Sequence, residues 1–142
     1  MNKYIVKRSI FFLAVFGCIQ FPIVALSQPV SRSNYESINV KQFLGDRKIT
    51  VSNPKDIAGK LFSRDQESEG RKSDGISVEY STRETAVIEH TVIGLADDSV
   101  AAMRHRIELV FRQNKWEIMW IGRQSKCQPN RGHQNWAAGR CQ

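Results

Sequence analysis

The chain has 142 residues, with 21 Lys and Arg against 14 Asp and Glu, giving a formal charge of +7. That length favours one domain, and 41% apolar with 25% charged residues argues against both a fully disordered chain and a multispan membrane protein. No segment recurs at a fixed period, so collagen-like and repeat architectures are excluded.

The N-terminus has a secretory layout. Lys3, Lys7 and Arg8 form a basic head, and no acid occurs before Glu36. Residues 10–26 (IFFLAVFGCIQFPIVAL) form an apolar body, and Ala25-Leu26-Ser27 places small residues at the −3 and −1 positions of a cleavage site. This order predicts a signal peptide over residues 1–27 and an exported, periplasmic or secreted product. A membrane anchor is the competing use of the segment, but it is at the short limit for a span and Pro22 interrupts it. Val15-Phe16-Gly17-Cys18 offers lipidation of Cys18 instead, although Phe16 is bulky where lipoprotein signals take a small residue. Membrane attachment is therefore expected only through an uncleaved signal or a lipidated Cys18.

Residues 28–46 are polar with scattered apolar side chains, and read as a lead-in that is either a linker or a short helix. A single α+β domain is expected over 47–142. Lys48-Ile49-Thr50-Val51 is a brief strand candidate. Asn53-Pro54 marks a helix start, since Asn caps the first free amides and Pro fits the first turn. Ile57, Ala58, Leu61 and Phe62 then form one apolar stripe. Residues 64–75 read as a charged loop without apolar residues.

The second half alternates with period two around Ile76–Tyr80, Ala86–Val92, Met103–Phe111 and Trp116–Trp120, which predicts an antiparallel meander with one buried face. A turn at Asp97-Asp98 sets Ile88 opposite Ile107, Val92 opposite Met103 and Ala86 opposite Leu109. It also sets Glu89 against Arg106 on the other face, a favourable charge pair. A turn at Gln113-Asn114 sets Phe111 opposite Trp116, Leu109 opposite Ile118 and Ile107 opposite Trp120. The fold class is thus one main helix on a curved antiparallel sheet of about four strands, with a further short strand before the helix as an option.

Beyond that sheet the mature chain has two cysteines, Cys127 and Cys141, an even pair for an oxidising compartment. A disulfide between them braces a loop rich in Pro, Gly, Asn and Gln, worth about 3 kcal/mol in the chain-entropy model. As metal ligands they would need two more donors, and only His133 is near in sequence. After Glu117 the chain carries Arg123, Lys126, Arg131 and Arg140 and no acid. Such a surface suits an anionic cell-surface component or an envelope protein. Without interleaved aromatic rings it argues against nucleic acid.

Two constellations stand out. The register places His90 opposite His105 on the inward face, and His105 opposite Gly122, whose missing side chain leaves room for a small ligand. The competing reading is a pair of packed histidines satisfied by backbone or water. No Asp, Glu or Cys is expected on that face, so neither a metal nor another cofactor is assigned. The second constellation is the braced loop, where Arg131, His133 and Trp136 form either a recognition tip or a structural cap in which Trp136 covers the sheet end and Arg131 stacks on it. No G-x-S-x-G, H-E-x-x-H or phosphate-binding glycine loop occurs, so no catalytic residue is assigned.

The runs G-L-A-D-D-S-V (94–100) and W-E-I-M-W-I-G-R-Q (116–124), and the final C-x-P-x-R-G-H-x-x-W-x-x-x-x-C, resemble an uncharacterised family of small exported bacterial proteins. The resemblance covers residues 76–141 and implies an exported α+β domain with a paired-Cys tail; the family favours Gly where this chain has Asn130. The helix-on-sheet order is cystatin-like by fold analogy alone. The expected function is a non-enzymatic envelope or secreted binding module. The alternative is a small-ligand or enzymatic domain using His90 and His105.

Overall fold

The computed structural model describes residues 31–45, 49, 53–63 and 71–142. The expected signal peptide, most of the strand expected at 48–51 and residues 64–70 lie outside them. The element order is β1 (Glu36–Ile38), α1 (Val40–Leu44), α2 (Pro54–Phe62), β2 (Ser73–Tyr80), β3 (Thr85–Ile93), β4 (Val100–Arg112) and β5 (Lys115–Cys127). All strands pair antiparallel in the order β1-β5-β4-β3-β2. The class is α+β as expected, but with five strands. The additional edge strand, β1, falls inside the segment read as a lead-in, and β2 begins three residues earlier than its alternation suggested. Both extensions are short and polar, so no hydrophobic period announces them.

α2 follows the local chemistry at its start. The Asn53 side chain accepts from the Asp56 amide at 2.9 Å and donates to the Asp56 carboxylate at 2.8 Å. Ile57, Ala58, Leu61 and Phe62 are all buried against the sheet. Burying each of the three large side chains stabilises the fold by about 1.5–3 kcal/mol.

The β3–β4 register is the predicted one: Ile88 faces Ile107, His90 faces His105, and Glu89 faces Arg106. Its connection is held by Asp97, whose Oδ1 accepts from the amides of Val100 (2.7 Å) and Ser99 (2.8 Å) and from the Ser99 hydroxyl (2.9 Å). Those donors, the Val100 amide first, hold the Asp97 carboxyl below the usual carboxylate range. At the β4–β5 turn Gln113 (φ 50°) and Asn114 (φ 60°) both take the left-handed conformation that a two-residue hairpin requires.

Beyond that turn the predicted frame holds only as far as Leu109–Ile118. A β-bulge follows, with Glu108 pairing Trp120 and Met119 left over. Ile107 therefore faces Ile121 rather than Trp120, and His105 faces Arg123 rather than Gly122. The shift puts Ile88, Ile107 and Ile121 in one fully buried row across three strands under α2. It sends Trp120 and Gly122 to the opposite face.

Gly122 is a close-contact position and not an open space. A Cβ there would sit 2.2 Å from the Trp120 indole and 2.8 Å from the Tyr35 Cβ. Gly122→Ala is expected to lower stability by about 1–3 kcal/mol through overpacking, read by urea unfolding, and to shift the Trp fluorescence. A neutral substitution would restore the unbulged frame.

Candidate functional site

The inner face carries a polar row beside the isoleucine row. In register order it runs His90 on β3, His105 on β4, Arg123 on β5 and Glu36 on β1. His90 is 4% exposed, and its ring stacks on Phe62 with centroids 4.0 Å apart. The two imidazoles are near-parallel, 6.3 Å apart, and Phe43 of α1 sits 5.6 Å from the His105 ring. Both histidines thus point toward the helices, as the alternation implied.

The expectation that no acid reaches this face is overturned. Asp74 on β2 holds His90 Nε2 at 2.8 Å through one oxygen and the Arg71 guanidinium at 2.6 Å through the other. Arg123 donates to Glu36 at 2.7 Å. The row therefore pairs its charges at both ends. Gly122 has no part in it, and the residue beside His105 is Arg123. Asp74 escaped notice because its strand begins within a charged stretch, and Glu36 because its strand has only three residues.

A cleft of about 530 Å³ opens between β1, α1 and β5. His105 is on its wall, with Arg123, Arg140 and Gln42 around it. Its chemistry fits a small anion, since two guanidiniums and an imidazole meet one carboxylate there.

The outer face is unlike the inner one. Arg104, which alternates with His105, donates through Nε to Gln124 Oε1 at 2.6 Å, and Gln124 in turn donates to the Asn34 carbonyl at 2.8 Å. The Arg104 guanidinium lies 4.8 Å from the Trp136 ring and 5.8 Å from the Tyr35 ring. Lys126 caps Trp136 at 5.1 Å, Tyr35 meets Trp120 edge-on at 5.7 Å, and Arg32 covers Trp120 at 5.0 Å. Cations and rings therefore interleave along the sheet as Lys126, Trp136, Arg104, Tyr35, Trp120, Arg32, with Tyr35 and Trp120 as adjacent rings. The interleaving missing from the linear sequence is supplied by four separate segments brought together by the fold: residues 32–35, β4, β5 and the tail. Arg32 and Arg106 both pair with Glu108 within this face.

The disulfide joins Cys127 and Cys141 as expected, with Cα atoms 5.4 Å apart. The tail returns along β5, where Ala137 and Ser125 exchange backbone hydrogen bonds of 3.1 and 3.3 Å. Asn130 (φ 63°) and Gly132 (φ 133°) make the bend, and a Cβ at Gly132 would press on the Cys127 sulfur at 2.9 Å. The three loop residues do not converge on a tip. Arg131 is exposed, His133 turns toward the disulfide, and Trp136 lies on the outer face under Arg104 and Lys126, so the cation stacked on it is not Arg131.

No helix among the described residues is long and apolar enough to cross a membrane. No family model, curated protein or solved structure matches this chain.

Asp74→Ala strands the Nε2 of a buried imidazole, so stability should fall by about 1–3 kcal/mol. Ser77→Ala on the exposed part of the same strand should stay within about 0.5 kcal/mol. Equal effects in chemical denaturation would remove Asp74 from the account of the inner face.

Proposed function

We propose that this is an exported, non-enzymatic binding module whose contact surface is the outer face of the sheet, and that its partner is an anionic glycan of the cell surface. The observation that carries this reading is the interleaved row of cations and rings from Lys126 to Arg32, in which Trp136 and Trp120 are the partly exposed rings and Tyr35 is buried between them. Guanidinium and ammonium groups neutralise acidic substituents, and ring faces stack on the C–H faces of sugars. Export is supported by the layout of residues 1–27, by the disulfide and by the resemblance to small exported bacterial proteins. A catalytic use of His90 and His105 is disfavoured because His90 is enclosed by Phe62 and held by Asp74.

A second reading has its own observation. The cleft beside His105, with Arg123 and Arg140, supports capture of a small carboxylate or phosphate.

Calorimetric titration with dextran sulfate, with uncharged dextran as control, separates the two. On the favoured reading the sulfated chain binds and the uncharged one does not, and added salt weakens binding. Lys126→Glu and Arg32→Glu should each lower affinity about five- to tenfold, roughly 1 kcal/mol per lost contact, while Arg140→Glu leaves it near the parent value. Loss confined to Arg140→Glu would move the site to the cleft.

A further inference from the structure

The braced loop holds three soft or borderline donors together, independently of the outer-face reading. Sγ of Cys127, Sγ of Cys141 and a ring nitrogen of His133 all lie within 4.8 Å of one another. The imidazole is set for ligation. Its Nδ1 is 3.1 Å from the Asn135 carbonyl, which can only accept, so Nδ1 carries the proton and Nε2 the lone pair. That Nε2 is buried and has no hydrogen-bond partner. A backbone carbonyl fixing the far nitrogen of a histidine is the usual support behind a metal ligand.

Access is also arranged. Cys141 borders a cleft of about 280 Å³ with Met103, Arg123 and Arg140, whereas Cys127 is 2% exposed. A dithiol reductant therefore meets Cys141 first.

We propose that reduction converts this brace into a metal site, in which the two thiolates and His133 Nε2 hold one divalent ion of the zinc class. The reductant's first thiolate attacks Cys141 Sγ and the Cys127 sulfur leaves. The reductant's second thiol then releases Cys141 and closes the reductant's own disulfide. Two electrons and two protons pass to the protein sulfurs. Both thiol protons go to solvent when the ion binds, and water fills the fourth position of the tetrahedron. Loop residues Gly132 and Gly139, at positive φ, let the chain adjust as the sulfurs part to about 3.7 Å on the metal.

Cobalt(II) is the probe, added to the anaerobically phosphine-reduced full-length protein. One equivalent should bind with a thiolate-to-cobalt charge-transfer band and tetrahedral ligand-field bands. The oxidised protein should show neither. His133→Ala, on an adaptable loop, should weaken binding at least about tenfold. Equal binding by oxidised protein, no binding after reduction, or an unchanged affinity in His133→Ala each overturns the proposal, the last by showing an unconstrained dithiol.

Discussion

One extra residue in β5 decides what each face of the sheet can be. Met119 is unpaired at the bulge, and every side chain after it on β5 changes side relative to a regular ladder. Ile121 thereby completes the buried row with Ile88 and Ile107, which is the floor on which α2 sits. In the unbulged frame Trp120 would occupy that place, beneath a helix that already presents Leu61 and Phe62. The indole goes instead to the outer face, over Gly122 and against Tyr35. A second irregularity at Ala101 returns the pairing to its first frame, so Val100 meets Cys127 and the disulfide starts from the end of a regular strand.

The two faces then solve opposite electrostatic problems. Inside, polar groups lie next to a dry core, where an unpaired charge is costly. The row answers with Asp74 between His90 and Arg71 at its buried end, while Glu36 and Arg123 pair at its solvent-facing end. Outside, water screens the partly exposed charges, and guanidiniums lie over rings, Arg104 4.8 Å from Trp136 and Arg32 5.0 Å from Trp120. The same strands thus carry a charge-paired polar row within and a partly exposed cationic row without, and the binding reading rests on the outer one.

Much of this architecture was legible in the residues. Asn53-Pro54 and the 57, 58, 61, 62 stripe specify α2, and the turn at Asp97 with its flanking alternation specifies the β3–β4 register, because a one-residue slip would bury Arg104 and Arg106. The bulge was written more faintly. Four consecutive apolar residues from Ile118 to Ile121 break the alternation, and a glycine follows, a combination that marks a kinked strand once noticed. Asp74 and Glu36 were not legible, since strands of polar residues at a sheet edge have no period to betray them, and Arg32 lies in a short 3-10 turn before β1. The cation–ring row is illegible for another reason: its members come from residues 32, 35, 104, 120, 126 and 136 and are neighbours only after folding.

The division of labour between faces is tested most directly by the three indole N–H signals in a nitrogen-15 spectrum recorded while an acidic glycan is added. Trp120 and Trp136 belong to the outer row, and Trp116 packs against the core on the inner side. The account predicts progressive shifts of the first two with Trp116 stationary. Movement of Trp116 alone, or of none of the three while binding is detected, would contradict it.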